Sequence, residues 1–326
     1  MKRVLAVSIM NVVFLFCIIA GASLLAPRVE AQSQGSWSAK APLPTKLSEV
    51  AVATANGKIY VIGGATPEVE ALRLNQEFDP ATDRWRERAQ LPRGLTHASA
   101  VGLNGKIYVV GAFTAAGHGA ATDNVFEYDP LADSWRTLAP LKSPRGSVGV
   151  TVLDGKIHAV GGRGTDKVTV TTHEVYDPAT GKWTELAPLP KARDHLAVVA
   201  GGGRVHAIGG RLDASTQNTD FHDVYNPASN SWEAAETLPT PRSGVAAALY
   251  RDMIIVVGGE CRDKKTYPEN EGYDLKTRRW LKLAPMPAGR HGFGGVTVGN
   301  NLYFAAGAVE CGGGQRSNEL LVFSLP

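Results

Sequence analysis

Cysteine is scarce in this 326-residue chain. Three residues are too few for a disulfide scaffold or a four-cysteine zinc site. An excess of one charge sign is also missing. Lys and Arg number 34 against 31 Asp and Glu, a formal net charge of +3. A partner held mainly by phosphate neutralisation is thereby excluded, so no nucleic acid is expected. No N-x-Ser/Thr acceptor occurs, which suits a bacterial secreted protein better than a eukaryotic one. Nothing longer than a turn reads as helical. What remains is 44% hydrophobic residues and 36 glycines, enough apolar surface for a real core. Disorder, collagen and a coiled coil do not have this composition.

The amino terminus reads as an address. Lys2 and Arg3 precede an apolar run from Val4 to Ala26, and Val29-Glu30-Ala31 forms a small-residue processing site. The expected domain organisation is therefore a signal peptide over 1–31 and a folded unit over 32–326. The run is long for a signal core, which leaves an uncleaved membrane anchor as the minority reading. Cys17 lacks a small residue just before it, so a lipoprotein attachment site is not expected. Cleavage leaves 31 basic and 30 acidic residues, and the basic excess turns out to be targeting signal. The expected location is periplasmic or extracellular.

Six tryptophans, at 37, 85, 135, 183, 232 and 280, are separated by 48, 50, 48, 49 and 48 residues. Aligned on them, the chain falls into repeats. An aromatic–acid–proline such as Phe78-Asp79-Pro80, Tyr128-Asp129-Pro130 or Tyr176-Asp177-Pro178 precedes most of them, where proline ends a strand and opens a turn. Asn56-Gly57, Asn104-Gly105 and Asp154-Gly155 read as two-residue hairpin turns. An alternating strand follows, such as Lys58–Ile62, closed by a glycine pair: Gly63-Gly64, Gly161-Gly162, Gly209-Gly210 and Gly258-Gly259, degraded to Gly111-Ala112 and Gly307-Ala308. Each period holds four short strands. A four-stranded antiparallel sheet repeated six times buries both faces by radial stacking, which predicts an all-β, six-bladed β-propeller. The expected blades cover 45–91, 92–142, 143–190, 191–239, 240–287, and 288–326 with 36–44. Trp37 arrives before any of its own blade, and the last period stops one strand short. The amino-terminal strand should therefore close the last blade.

The glycine pair, the Tyr-Asp-Pro and the spaced tryptophan together resemble the kelch repeat over Trp37 to Pro326. The resemblance implies the propeller type shared with the central domain of galactose oxidase, with sialic acid mutarotases and with many adaptor proteins. No adaptor domain precedes the repeats here, which argues against a ubiquitin-ligase-type role. The kelch fold hosts unrelated functions and cannot decide among them.

Ten residues after each tryptophan stand Leu47, Leu95, Arg145, Arg193, Arg242 and Arg290, with Glu49, His97, Asp194, His195, Ser243 and His291 beside them. Arg163, Arg211, Glu260 and Glu310 follow the glycine pairs. With the first strand innermost, as the resemblance implies, these groups ring one mouth of the central channel. The ligand-binding candidates are Arg145, Arg193, Arg242, Arg290, Arg163, Arg211, His97, His195, His291, Glu260 and Glu310. Guanidinium forks suit carboxylates. The competing reading ties each arginine to nearby carbonyls or acids. His158 and His206 occupy the strand position of Tyr60 and Tyr108 and read as packing residues. His97, His195 and His291 read as ordinary mouth histidines rather than a three-histidine metal site, so no metal and no cofactor are expected. Cys261 and Cys311 follow adjacent blades' glycine pairs and are expected to form a disulfide closing a 50-residue loop. No tyrosine precedes a histidine, and the cysteine–tyrosine pairing of a copper-radical oxidase has no support. The tryptophans read as wedges between blades.

The favoured function is a monomeric binding or interaction module taking a protein segment or an acidic glycan at the mouth. The alternative is a sugar-modifying enzyme such as a sialic acid mutarotase-like epimerase, with His195 or His291 moving protons.

Overall fold

The computed structural model describes residues 34–214, 216–260 and 263–326; the expected signal segment, Cys17 and Cys261 lie outside them. Within these residues six four-stranded antiparallel sheets form the blades of a propeller. Their innermost strands are Ala51–Ala55, Ser99–Leu103, Gly149–Leu153, Ala197–Gly201, Ala246–Tyr250 and Gly294–Val298, rich in Ala, Val and Gly because they crowd toward one axis. The outermost strands carry the tryptophans: Arg84–Glu87, Ser134–Thr137, Lys182–Glu185, Ser231–Ala234, Arg279–Lys282 and, in the last blade, Ser36–Lys40. That last strand pairs antiparallel with Leu320–Ser324, Trp37 opposite Phe323, so the amino-terminal segment closes the ring.

The six indoles perform one task. Each ring N–H donates to a carbonyl of the preceding blade: Trp85 to Ala41, Trp135 to Ala89, Trp183 to Ala139, Trp232 to Ala187, Trp280 to Glu236 and Trp37 to Ala284, all within 2.7–2.9 Å. The indole body fills the wedge between blades while its one polar atom is satisfied. The spacing of a rare residue in the sequence is thus the spacing of interblade ties.

The glycine pairs work on the opposite, inner side. Gly64, Gly162, Gly210 and Gly259 donate to the carbonyls of Leu95, Arg193, Arg242 and Arg290 of the next blade at 2.8–3.1 Å. A Cβ on the first member of each pair, such as Gly63 or Gly161, would stand 2.6–2.7 Å from that same carbonyl. Both members also take positive φ, which ends the strand. In the last blade the positive-φ pair is Ala306-Gly307, one residue earlier than the Gly307-Ala308 expected from sequence. In the second blade only Gly111 is left-handed, and Ala112 stays extended. The strand therefore continues, and Lys106–Ala115 pairs with Gly119–Asp129 in a long hairpin with a register shift between Val110 and Ala112. Its tip carries His118 over the mouth of the channel.

Candidate functional site in the propeller mouth

Twelve residues after each tryptophan stand Glu49, His97, Ser147, His195, Gly244 and Gly292. All six have positive φ, between 51° and 65°. Their backbones link around the axis: His97 N donates to Glu49 O, Ser147 N to His97 O, His195 N to Ser147 O, Gly244 N to His195 O and Glu49 N to Gly292 O, at 2.6–3.3 Å. The two glycines at equivalent positions are the sequence signal for this ring, because a left-handed turn is what glycine accepts most readily. A cavity of about 500 Å³ lies over it, lined among others by Glu49, His97, His118, Arg211, Glu260 and His291. A second cavity of about 470 Å³, lined largely by Ala, Val and Gly of the innermost strands, continues along the axis.

Arg211 organises the polar floor. Its Nε donates to Asp194 Oδ1 at 3.1 Å and its Nη1 to Glu260 Oε1 at 2.8 Å. Its Nη2 meets His118 Nε2 at 3.2 Å and His195 Nε2 at 3.1 Å. Asp194 also accepts from Arg163 Nε and, at 2.8 Å, from His195 Nδ1. Burial alone would raise the Asp194 carboxyl, but His195, Arg211 and Arg163 hold it well below the usual carboxylate range. Across the cavity Glu49 Oε2 stands 3.2 Å from His97 Nε2, and Glu49 Oε1 stands 3.4 Å from His291 Nδ1. The same His291 nitrogen is 3.4 Å from Glu260 Oε2. Carboxylates and imidazoles therefore alternate along one chain, His97–Glu49–His291–Glu260–Arg211.

The imidazoles of His97, His118 and His195 are neutral at physiological pH. Burial first, then the Arg211 charge, pushes His97 down to about 3. Burial, with His97 and Arg211 beside it, pushes His118 down to about 4. His195, the most enclosed, is also lowered by burial and Arg211. A neutral imidazole retains one lone pair, which suits it to accept a hydrogen bond.

Four of the expected ligand residues are elsewhere. Arg145, Arg193, Arg242 and Arg290 are fully buried and turn back into their own blades. They pair with Glu174, Asp223, Glu271 and Glu319 respectively. Carbonyls at the ends of their own second strands take further N–H groups, as Gly258 and Val256 do for Arg242. The assignment of these four to ligand binding is therefore corrected. Their role is to tie the first strand's entrance to the third strand. A sequence signal existed: Glu174, Asp223 and Glu271 occur in blades that carry arginine, whereas the leucine blades have Gln76 and Phe126 in that place.

Glu310 is corrected as well, since its side chain is exposed and only its carbonyl, 3.0 Å from His291 Nε2, meets the site. Arg163, Arg211, His97, His195, His291 and Glu260 do gather at the mouth. His118 was missed, because nothing local in Gly117-His118-Gly119 announces a hairpin that folds over the axis. His158 and His206 are buried in their blades, away from the mouth. Cys311 begins a short 3-10 turn, Cys311–Gly313, at the cavity wall.

Residues 25–210 match the family described as the KLHDC2/KLHL20/DRC7 Kelch-repeats domain. The chain belongs to the kelch-repeat family. Kelch-like protein 40 of Mus musculus is 33% identical over 63 residues, which is 19% of this chain and 10% of that relative. The match thus spans about a tenth of the curated relative. Among solved structures, that of YjhT aligns with a TM-score of 0.75 at 18% identity, covering 87% of this kelch chain and 97% of that one. This likeness is one of fold. Kelch propellers commonly serve as protein-interaction modules, and a protein partner is consistent with the family assignment.

Proposed function

We propose that the protein is an exported kelch propeller that binds a polar segment of a partner protein in the mouth cavity. The observation that carries this is the Arg211 guanidinium, placed at the centre of the cavity floor with its Nη2 against two neutral imidazoles. A ligand carbonyl, carboxylate or hydroxyl that replaces either imidazole gains a charge-assisted hydrogen bond. Net charge does not select the ligand. The cavity lining carries Arg163, Arg211 and Arg316 against Glu49, Glu70, Asp213 and Glu260, so an acidic glycan has no electrostatic advantage over a neutral one. Peptides selected from a displayed random library against the protein are expected to lose at least about ten-fold in affinity on Arg211→Ala or Glu260→Gln, the cost of one buried charge-assisted contact. Selected peptides indifferent to both changes would place the binding face elsewhere.

A second reading, a sugar-modifying enzyme of the sialic acid mutarotase kind, is favoured by the chain of carboxylates and imidazoles. The Glu49 carboxylate, 3.2 Å from neutral His97, is placed as a proton-accepting group would be. Anomer interconversion of sialic acid followed by NMR separates the readings, because a binder leaves that rate unchanged.

Export and the Cys261–Cys311 disulfide belong to the same proposal. A disulfide closing that loop would contribute about 4 kcal/mol and hold the Cys311 turn against the cavity. Thermal unfolding with and without reductant tests it: a drop of roughly 6–8 °C is expected on reduction, and no drop would sink the pairing.

A further inference from the structure

We infer that the wedge between blades four and five is a binding site for the carboxylate of a small organic acid. It shares no lining residue with the mouth cavity, and the inference does not depend on what the mouth takes. The wedge opens into a cavity of about 350 Å³, lined among others by Ala235, Glu236, Tyr273, Leu275 and Arg278. Glu236 and Arg278 are exposed, whereas Tyr273 is 3% exposed.

The other blade junctions show what belongs there. Three residues past the tryptophan, Arg88, Leu138, Leu186 and Leu283 reach residues of the following blade. The equivalent residue of blade four is Ala235, and the space its short side chain leaves is the cavity. Two residues before the tryptophan, a turn position supplies an acceptor. In blade two Asp133 Oδ1 accepts from the Tyr128 hydroxyl at 2.5 Å and from the Ala89 N–H of the preceding blade at 2.9 Å. In blade four Asn230 Oδ1 accepts from the Tyr225 hydroxyl at 2.8 Å and from the Ala187 N–H at 2.9 Å. Blade five has Arg278 in this place, at a φ of 58°, and a guanidinium has no acceptor. The corresponding donors, the Tyr273 hydroxyl and the Glu236 N–H, therefore find no partner among the described residues. Tyr176 of blade three, opposite Gly181, is in the same position, but Leu138 packs in that wedge.

Blade two contains the completed arrangement. Arg88 Nε donates to the Tyr128 hydroxyl at 2.8 Å and stands 3.3 Å from Asp133 Oδ1. Guanidinium, phenol and backbone N–H there surround one carboxylate. At the blade-five junction the same three donors come together, and the chain supplies no carboxylate to them. The two acids of the lining are engaged otherwise: Glu233 pairs with Arg204 at 2.5 Å, and Glu236 accepts from the Trp280 N–H at 3.1 Å. Burial pushes the Tyr273 phenol up and the Arg278 charge opposes it, so phenol and guanidinium share one field. An incoming carboxylate meets a neutral phenol able to donate and a cation able to pair. Ala235, Leu275 and the Tyr273 ring give the cavity an apolar side, which suits a short aliphatic body behind the carboxylate.

The test is an NMR titration of the ¹⁵N-labelled full chain with sodium propionate at constant ionic strength, beside propionamide, which has the shape without the charge. A saturable shift of the Glu236 amide is expected with propionate at about 10 mM or below, and none with propionamide. Tyr273→Phe should weaken binding at least about ten-fold. Arg278→Asn installs the Asn230 arrangement of blade four. It should abolish propionate binding and raise the melting temperature by roughly 2–4 °C, because the amide takes both donors and asparagine tolerates a left-handed turn. Tyr225→Phe, the same deletion one blade earlier, should bind as the parent does. No saturable shift below about 100 mM propionate, binding that survives both Tyr273→Phe and Arg278→Asn, or an Arg278→Asn protein no more stable than the parent would overturn the assignment.

Discussion

Arg242→Ala is expected to cost about 3–5 kcal/mol of folding stability, lowering the melting temperature by roughly 6–10 °C. The reason is the partner left behind. Arg242 is 0% and Glu271 1% exposed, and the guanidinium also satisfies the carbonyls of Thr240, Val256 and Gly258. Alanine strands a buried carboxylate and three carbonyls together, with neither water nor counter-charge to replace what was lost. The protein itself contains the rescue. Blade 1 has Leu47 and Gln76, and blade 2 has Leu95 and Phe126, at the same two positions, and both blades close normally. The double change Arg242→Leu with Glu271→Gln is therefore expected to recover most of the loss. Ligand binding by the folded fraction should be unaffected in either variant. Chemical denaturation of the parent, single and double variants measures the coupling, and equal losses in single and double variants would refute the pair's structural role.

Acidification is expected to unfold the propeller well above the pH at which its carboxylates titrate. Two imidazole pairs are buried inside blades three and four. His158 Nδ1 donates to His173 Nε2 at 2.9 Å, and His173 Nδ1 donates to Ala187 O at 3.3 Å. The contact between His206 Nδ1 and His222 Nε2 is likewise 2.9 Å, with His222 Nδ1 donating to Glu236 O at 3.0 Å. Protonating the acceptor nitrogen would set two N–H groups head to head in a site without water. Burial, and then the partner imidazole, pushes His173 and His222 down to about 3; burial pushes His158 and His206 down to about 4. The unfolded chain takes up these protons near 6.5 and the native state near 3 to 4. The stabilisation is thus complete above pH 6.5 and is lost progressively as pH falls toward 4. Each imidazole contributes about 1.4 kcal/mol per pH unit across that window. A fall in melting temperature of on the order of 10 °C between pH 7 and pH 5 is expected. His158→Ile with His173→Asn, the pair that blade 5 uses as Ile255 and Asn270, should flatten the profile in proportion. A melting curve as steep in pH as the parent's would show that the pair carries none of the effect.

Much of the architecture was legible before any coordinates. The tryptophan spacing reports an interblade tie that must recur once per blade, so period, blade count and the amino-terminal closing strand followed from it. Four of the six glycine pairs were equally legible, and there a carbonyl of the next blade leaves no room for a Cβ. The site was legible only in part. His97, His195, His291, Arg211 and Glu260 were placed at the mouth by their phase in the repeat. Phase does not report which way a side chain turns, and Arg145, Arg193, Arg242 and Arg290 turned inward to acids brought near by strand pairing. The paired Glu174, Asp223 and Glu271 were present in the sequence, but only the register of first and third strands makes them partners.

The sequence by itself determined what repeats: the strand pattern, the turns, the glycine pairs and the six wedges, each set by local sterics and hydrogen bonding within one period. The tertiary structure alone decided what happens on the axis, where residues about 50 to 100 positions apart meet. His118 crosses from its hairpin to His195 and Arg211, and Asp194 binds two arginines from different blades. Those contacts depend on how far a strand continues past its glycine and on which charges close-packed blades bring together. Neither is written in the period.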